Sequence, residues 1–238
     1  MQKGKIYLIP NVLSEGTIAQ TVPQPIVELI QTIDQYIVEN TKNARRYLRD
    51  LGIKTNLDQL HFFEINEHTN LNALDLEQML NPIMVGGQNM GLISDAGCPA
   101  IADPGAAVVA KAHELGIEIV PLVGASSVLL ALMASGMNGQ NFAFNGYLPI
   151  DKIELKKKIL SLEQKIYAEN QTQLFIETPY RNQQLFETIC TICKPNTRLC
   201  VAANLTAENE FIQTKTLQQW AKATINIHKQ PAVFVLGK

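Results

Sequence analysis

The chain has 238 residues, of which 46% are hydrophobic and 18% are charged, and its formal net charge is -2. This composition excludes a disordered chain and allows two domains of roughly 100 to 150 residues each. The near-neutral charge argues against a general nucleic-acid-binding surface, although it permits a local basic patch. The chain lacks a run of about 18 apolar residues, which argues against a membrane-spanning helix, and its N-terminal apolar run is too short for a signal peptide. We therefore expect a cytoplasmic protein.

Strand and helix patterns alternate along the first half of the chain. Short apolar runs predict strands, and apolar residues three and four positions apart predict helices. In chain order, strands are predicted at 5–10, 35–40, 60–65, 90–94 and 117–122, and helices at 25–33, 41–52, 73–81 (ending at the Asn81-Pro82 pair) and 105–116. Such alternation predicts βαβ units and a mostly parallel sheet, in an α/β domain of residues 1–121.

The second half, residues 122–238, predicts another α/β domain with a different sheet. The almost wholly apolar segment 125–136 predicts a helix that is buried on all sides. Strands 197–203 and 210–216 follow each other closely enough to form a hairpin, which predicts a mixed sheet. The other predicted elements are helices 151–170 and 185–193 and strands 141–148, 172–177 and 231–237.

A loop rich in aspartate, glycine and proline follows the fourth predicted strand, in the segment GLISDAGCPAIADPG (91–105). An ordinary connection needs only about 2 to 6 residues. Glycine lets a ligand approach the backbone closely, and the carboxylates of Asp95 and Asp103 can accept hydrogen bonds. Ligands of parallel sheets bind beyond the carboxyl ends of the strands, so we interpret this segment as a binding loop. The alternative is purely local, since Asp95 could cap its own turn and Asp103 could cap the following helix.

Two further patterns have a structural and a functional interpretation. Cys190 and Cys193 form a CxxC on a predicted helix face, without a second CxxC or a histidine at zinc spacing, which favours packing over a redox or metal role. The basic segments 42–49 and 152–158 are either solvated helix faces or local phosphate contacts.

Five motifs, in order, resemble those of the tetrapyrrole-methylase superfamily of S-adenosylmethionine-dependent methyltransferases. Two of them lie in SDAGCPAIADPG (94–105), and the others lie in IEIVPLVGASSVLLALMASG (117–136), FAFNGYLP (142–149) and FIETPYR (175–181). The likeness extends from about residue 35 to the C-terminus. Within the superfamily, the pattern is similar to that of the ribosomal-RNA ribose 2′-O-methyltransferases. This resemblance implies two α/β domains with the cofactor in the cleft between them, commonly in a homodimer.

Several segments depart from the family pattern. The first strand leads into IPNVLSEG instead of a glycine turn, and the segments ENTK (39–42) and ETPYR (177–181) replace the usual EDTR and ESPHR. Many relatives also continue past the last strand, whereas this chain stops at VFVLGK. S-adenosylmethionine is still the expected methyl donor. The identity of the methyl acceptor stays open because of these departures.

The resemblance implies a cofactor-binding set drawn from both halves of the chain. Apolar walls for an adenosine would come from Ile101, Leu205 and Ala232, and polar partners from groups such as the Ser126 hydroxyl. The implied set is Pro10, Asp95, Ala96, Ile101, Ser126, Ser127, Thr178, Asn204, Leu205, Pro231 and Ala232.

Methyl transfer to a ribose hydroxyl benefits from orientation and from a general base. The predicted catalytic residues are Glu39, His68 and Arg181, with Arg181 orienting phosphate instead of accepting a proton. Glu67 and Glu177 are further candidates for the base. If the substrate is RNA, the basic helix is expected to contact phosphates through Lys42, Arg45, Arg46 and Arg49.

Three hypotheses follow. The first is methylation of a ribose, expected to be that of a cytidine, in small-subunit ribosomal RNA. The second is methylation of a small molecule such as a tetrapyrrole precursor, against which the SDAGCP motif argues. The third is a non-catalytic module that retains the cofactor site, which the altered first turn and the ENTK segment motivate.

Overall fold

The structure is a computed structural model that describes residues 3–66, 69 and 72–238. Its contacts divide the chain into two compact units, Met1–Ser126 and Ser127–Lys238. The boundary that the sequence places after residue 121 stays a prediction. Within the described ranges, no helix combines the length and the apolar character needed to cross a membrane.

The first unit is built on a five-stranded parallel sheet, with strand order β3-β2-β4-β1-β5. Its elements are β1 (Lys5–Ile9), α1 (Ile18–Thr21), α2 (Gln24–Leu29), β2 (Gln35–Val38), α3 (Thr41–Asp50), β3 (His61–Glu64), α4 (Ala73–Met84), β4 (Met90–Ile93), α5 (Gly105–Glu114) and β5 (Glu118–Pro121), with 3₁₀ turns at Ile30–Thr32 and Leu57–Gln59. β4 is the central strand and is buried along its whole length. The predicted parallel α/β architecture is confirmed, and the loop 94–104 leaves from the middle of the sheet.

Apolar side chains cover both faces of this sheet. One face packs against residues of α4 and α5, including Leu80 and Val108, and the other against residues of α2 and α3, including Ile26 and Leu48. Two covered faces explain why the strands are continuous apolar runs. The packing is especially tight at Gly91, where an added Cβ would lie 2.7 Å from Tyr36 Cδ1.

The second unit contains a mixed five-stranded sheet of order β6-β7-β10-β8-β9. Its elements are α6 (Ser127–Ser135), β6 (Phe142–Tyr147), α7 (Lys152–Glu169), β7 (Thr172–Ile176), α8 (Asn182–Ile192), β8 (Arg198–Ala203), β9 (Phe211–Thr216), α9 (Leu217–Trp220) and β10 (Ala232–Gly237). β6 and β7 are parallel, whereas β10 runs antiparallel to both β7 and β8, and β8 and β9 form the predicted hairpin. The mixed sheet is confirmed.

The apolar segment that the sequence predicts as buried on all sides differs in the structure. α6 buries Ala131, Leu132 and Ser135, but Met133 is 78% exposed and Leu129 is 49% exposed. The prediction is wrong because α6 packs on β9 and β10 with one face. Composition alone does not distinguish a helix that is covered on one side from one that is surrounded.

The predicted end of the fourth helix at the Asn81-Pro82 pair is also wrong, because α4 continues to Met84 with Pro82 inside it. Proline removes the hydrogen bond that its own nitrogen would donate, and its ring crowds the carbonyl four residues earlier. The helix continues past Pro82 because the following turn keeps its hydrogen bonds, with the Val85 nitrogen donating to the Asn81 carbonyl at 2.9 Å. Helices α1 and α9, of four residues each, are too short to produce a periodic pattern, and the sequence does not predict them.

Candidate functional site

Three predicted site residues follow neighbouring strands of the first sheet at their carboxyl ends. Pro10 directly follows β1, Glu39 directly follows β2, and Asp95 comes two residues after β4. The backbone nitrogen of Asp95 donates to Glu39 Oε1 at 2.8 Å, so the structure brings these two residues into contact. The sheet order causes this meeting, since β2 and β4 are adjacent although β3 lies between them in the chain.

The contact between Glu39 and Asp95 spans 56 positions of sequence. It exists because β2 and β4 pair in register, with Val38 opposite Ile93, so the residues that follow the two strands emerge side by side. Burial raises the pKa of the Glu39 carboxyl, the Asp95 backbone hydrogen bond lowers it, and the charges of Asp103 and Asp95 raise it further. The net shift is upward, so part of the Glu39 population carries a proton at a higher pH than an exposed glutamate does.

The side chain of Asp95 contacts helix α3 instead of capping its own turn. Asp95 Oδ2 accepts a hydrogen bond from Asn43 Nδ2 at 2.9 Å. The Asn43 backbone nitrogen in turn donates to the side chain of Asn40, the N-cap of α3, at 3.1 Å. Ala96, the next residue of the loop, accepts a hydrogen bond at its carbonyl from Ser94 Oγ at 3.2 Å. The start of α3 therefore holds the loop after β4 in place.

Asn11 fixes the base of the same loop from the β1 side. Its Nδ2 donates to the carbonyls of Ser94 at 3.0 Å and Asp95 at 3.1 Å, and its backbone nitrogen donates to the Gly97 carbonyl at 2.9 Å. Asn11 is buried, and it is not among the site residues that the sequence predicts. The one available signal was the departure of IPNVLSEG from the family's glycine turn.

Asp103 shapes the second half of the loop. Its Oδ1 accepts hydrogen bonds from the backbone nitrogens of Ala100 at 3.0 Å and Gly105 at 2.7 Å. These bonds stabilise left-handed conformations at Ala100, with φ 67°, and at Ala102, with φ 61°, which are unfavourable for residues other than glycine. The result is a loop that presents Ile101 to solvent, 54% exposed. Burial raises the pKa of Asp103.

The turn after β5 lies against Pro10. A Cβ added to Gly124 would lie 2.1 Å from Pro10 Cβ, so only glycine fits at this position. The hydroxyl of Tyr47, a buried residue of α3, donates to the Pro10 carbonyl at 2.6 Å. Pro10 is thus held from both sides within the first unit, close to the turn that leads to Ser126. Ser127, the next predicted cofactor residue, begins α6 in the second unit.

The second unit gathers five predicted cofactor residues at one edge of its sheet. β10 is antiparallel to β7 and β8, so the start of β10 lies beside the ends of β7 and β8. The residues at this edge are Thr178, Asn204, Leu205, Pro231 and Ala232. The Asn204 nitrogen donates to the Pro231 carbonyl at 3.0 Å, and Ala232 lies opposite Ala203. Leu205 and Ala232 are buried, whereas Thr178 and Pro231 are exposed.

Gln230 connects this edge to helix α8. Its Oε1 accepts from Asn204 Nδ2 at 2.8 Å, and its backbone carbonyl accepts from Asn182 Nδ2 at 2.6 Å. Asn182 is fully buried at the start of α8. Sequence reasoning missed both Gln230 and Asn182, because nothing local to either residue indicates a partner more than 20 positions away.

Arg181 forms an ion pair with Glu177, the residue that follows β7. Arg181 Nη2 lies 3.1 Å from Glu177 Oε2, and the side chains are 28% and 3% exposed. Glu177 Oε1 also accepts a hydrogen bond from the Thr178 nitrogen at 2.7 Å. The pair therefore orients the ETPYR segment, and Glu177 is engaged by a cation.

The predicted RNA-contacting residues line a pocket of about 630 Å³ in the first unit, together with Asn40, Thr41, Asn43, Leu57 and Glu64. Each of the three arginines faces a carboxylate. Arg45 pairs with Asp58 at 2.5 Å, Arg46 with Glu15 at 2.8 Å, and Arg49 with Asp50 at 3.1 Å. Lys42 is exposed. These pairs are solvent-exposed and therefore weak.

His68, the second predicted catalytic residue, and Glu67 lie outside the described residues. The cysteines of the CxxC pack within the second unit, where Cys193 belongs to the core and Cys190 lies against it. Burial raises the pKa of Cys193 to about 12 and that of Cys190 to about 11. Both thiols are protonated at neutral pH, which leaves them poor nucleophiles.

One edge of the sheet in the second unit has features that suit a nucleoside, which is part of S-adenosylmethionine. Leu205 and Ala232 are apolar there, with 7% and 8% of their surface exposed. The buried Thr206 Oγ1, next to Leu205, has no hydrogen-bond partner among the described residues and is an orphaned polar group beside this surface. The residues present therefore fit a nucleoside with polar edges.

The architecture matches solved structures of methyltransferases. No protein-family model matches the chain. The methyltransferase CobJ superposes with a TM-score of 0.64 at 16% identity, over 99% of this chain and 94% of that chain. The cobalamin biosynthetic enzyme cobalt precorrin-4 methyltransferase gives a TM-score of 0.59 at 14% identity, over 98% and 94%. The fold is that of the tetrapyrrole methylases, as the resemblance implied.

Curated relatives define the family more narrowly. Ribosomal RNA small subunit methyltransferase I of Synechocystis sp. is 31% identical over 215 residues, which cover 90% of this chain and 72% of the relative. The protein of the same name from Halalkalibacterium halodurans is 30% identical over 227 residues, which cover 94% and 73%. The chain belongs to the ribosomal RNA small subunit methyltransferase I family, and it is an S-adenosylmethionine-dependent methyltransferase.

Proposed function

We propose that this protein methylates the ribose 2′-hydroxyl of a cytidine in small-subunit ribosomal RNA. The observation that carries the proposal is the 31% identity over 90% of the chain with a relative named for methylating small-subunit ribosomal RNA. The tetrapyrrole enzymes share 16% identity or less with the chain in the structures compared above, so they support the fold and not a tetrapyrrole substrate.

The proposed methyl donor is S-adenosylmethionine, whose sulfonium supplies an electrophilic methyl group and leaves as S-adenosylhomocysteine. The residues proposed to bind it are those that the family resemblance implies: Pro10, Asp95, Ala96, Ile101, Ser126, Ser127, Thr178, Asn204, Leu205, Pro231 and Ala232. The contacts within each unit support this set, because the loop of Asp95 and the edge around Asn204 are each held rigidly by side-chain hydrogen bonds. Positioning of the reacting groups is a large part of what a protein contributes to a direct displacement.

The ribose hydroxyl must lose its proton as the oxygen–methyl bond forms. We propose that the carboxylate of Glu39 accepts this proton. Its partial burial and its upward pKa shift make it a stronger base than an exposed glutamate. Its contact with the Asp95 nitrogen uses one carboxylate oxygen, Oε1.

Replacing Glu39 with glutamine separates the catalytic role from the structural one. The glutamine amide can still accept the Asp95 hydrogen bond but cannot take a proton. We expect cofactor affinity to be unchanged and the rate of methyl transfer to fall by about 100-fold or more, a typical contribution of a general base. Single-turnover kinetics with saturating cofactor measures the rate, and an unchanged rate would exclude Glu39 as the base.

The same variant has a predicted effect on stability. A carboxyl whose pKa is raised in the folded state stabilises the fold below its unfolded pKa, and this stability is lost as the pH rises through the folded pKa. Above that range, wild-type Glu39 is ionised at an energetic cost. We therefore expect Glu39→Gln to unfold at a higher denaturant concentration than wild type at pH 7, and this difference to shrink toward pH 4.

A tritium-transfer assay tests the proposed function directly. The protein is incubated with methyl-labelled S-adenosylmethionine and small ribosomal subunits from a strain that lacks the gene. Label in one ribose of the RNA is the expected result, and mapping that nucleotide identifies the target. Cofactor binding without label in the RNA would overturn the proposal, and would favour a small-molecule acceptor or a non-catalytic role.

The proposal extends to location and assembly. Since ribosomal RNA is the proposed substrate, we propose a cytoplasmic protein, and on the family resemblance a homodimer. The exposed apolar side chains of α6, such as Met133, are compatible with a subunit contact. Sedimentation equilibrium measures the mass in solution, and a monomer at micromolar concentration would contradict the homodimer.

A further inference from the structure

A second basic pocket lies wholly within the second unit, between the first turns of α7 and the face of α8. It encloses about 410 Å³ and is lined by Ile150, Lys152, Leu155, Lys156, Arg181, Gln184, Leu185, Thr188 and Ile192. This volume falls in the range of small-molecule sites, so the pocket can accept a unit as large as one nucleotide. None of the motifs that define the family resemblance contributes Lys152 or Lys156.

The cations of this pocket differ from those of α3 in their partners. No carboxylate within the described ranges forms an ion pair with Lys152 or Lys156, and both side chains are exposed. The next lysine of α7, Lys157, points to Glu154 instead, with its Nζ 2.8 Å from Glu154 Oε1. The third cation, Arg181, uses one nitrogen for Glu177, and a guanidinium carries five N–H donors. The pocket therefore concentrates positive charge that the described carboxylates only partly neutralise.

The rest of the lining is apolar or uncharged and polar. Ile150 is 78% exposed beside the lysines, while Leu155 and Leu185 form a buried floor. Thr188 and Gln184 add polar groups on the α8 side. Apolar surface next to such cations suits a ligand that joins a planar or apolar group to a phosphate, which is the composition of a nucleotide.

We propose that this pocket binds a nucleotide of the substrate RNA next to the one that is methylated. Lys152 and Lys156 contact its phosphate, and Ile150 contacts its base. Arg181 joins the pocket to the ETPYR segment, because the same side chain lines the pocket and pairs with Glu177. The inference rests on the proposed function and adds to it the place where part of the RNA is held.

A charge-removal variant tests the phosphate contact. For Lys152→Ala/Lys156→Ala we expect affinity for in vitro transcribed small-subunit ribosomal RNA to fall about tenfold at low salt. The slope of log affinity against log salt should become shallower by about 0.7, since the two lysines contact one phosphate and each lost phosphate contact in a single strand removes about 0.7. The control, Lys157→Ala/Lys165→Ala, removes the same charge from the same helix outside the pocket and should retain the wild-type slope.

A volume-filling variant tests the cavity independently of charge. Thr188 and Thr191 both lie on α8 and bond to the carbonyl four residues earlier, at 2.8 Å in each case, but only Thr188 lines the pocket. We expect Thr188→Trp to weaken RNA binding about tenfold and Thr191→Trp to leave it unchanged, with unchanged binding of S-adenosylhomocysteine in both. Circular dichroism checks that both variants fold.

The outcomes separate this inference from the proposed function. If wild-type protein methylates ribosomal RNA but the pocket variants bind RNA as their controls do, the pocket inference is wrong and the function stands. Binding of free cytidine monophosphate in the pocket, without any effect of the variants on RNA, would assign it to a small ligand and also overturn the inference. If wild-type protein transfers no label to RNA, the proposed function itself fails.

Discussion

Replacing Gly124 with alanine is expected to impair both the stability of the first unit and cofactor binding. The added Cβ would lie 2.1 Å from Pro10 Cβ and 2.4 Å from Pro10 Cγ, and Pro10 has no flexible chain end that can move away. Its carbonyl is also held by the Tyr47 hydroxyl at 2.6 Å. The turn or the loop after β1 must therefore shift, at a cost of about 1 to 3 kcal/mol for overpacking.

The affinity for the cofactor is a more direct measure of this displacement of the turn or of the loop after β1. Pro10 and Ser126 are both proposed cofactor residues, so we expect affinity for S-adenosylmethionine to fall at least about tenfold, measured by calorimetry. Gly139 provides the matched control, because a Cβ added there would meet no atom within 4 Å. If Gly124→Ala binds the cofactor as tightly as Gly139→Ala does, the turn after β5 is not part of the cofactor site.

Replacing Arg181 with methionine is expected to destabilise the second unit by about 3 kcal/mol. The substitution leaves the Glu177 carboxylate, whose side chain is 3% exposed, without its cation. Removing one partner of a buried pair costs about 3 to 5 kcal/mol, and the lower value applies because Arg181 is itself partly exposed. Urea denaturation at pH 7 measures the difference.

A double-mutant cycle distinguishes the ion pair from lost packing. Glu177→Gln/Arg181→Met should recover at least about 1 kcal/mol of the loss, since no buried charge remains. Lys157→Met breaks an exposed pair, in which Lys157 and Glu154 are 68% and 58% exposed, and should cost no more than about 0.5 kcal/mol. Equal losses in Arg181→Met and in the double variant would show that the charge of Glu177 does not need Arg181.

The helices and strands were predictable because they depend on local sequence. Apolar runs such as 90–94 identified buried strands, and the spacing of apolar residues in 41–52 identified helix α3. The sequence suggests Thr41 as the cap of this helix, but the N-cap is Asn40, whose side chain accepts from the Asn43 nitrogen. The errors lie where local rules are incomplete. Pro82 is tolerated near a helix end, and the apolar α6 contacts its sheet with only one face.

The candidate site was only partly predictable. The loop 94–105 could be singled out from the sequence, since such a density of glycine, proline and aspartate is unusual in an ordinary connection. The residues that hold the loop, Asn11 and Asn43, have no such signal. Asparagine is common in turns, and its partners here lie more than 50 positions away.

The sequence by itself determined the fold class, the two kinds of sheet and the methyltransferase family, because periodicity and ordered motifs are properties of the chain. Only the tertiary structure decided which side chains meet. The pairing of β2 with β4 joins Glu39 to the Asp95 nitrogen, and carboxylates from other segments neutralise arginines of α3. The packing of α7 beside α8 places Lys152 and Lys156 at a pocket, where no carboxylate of the described residues pairs with them. These contacts depend on strand order and helix packing, which local sequence does not specify.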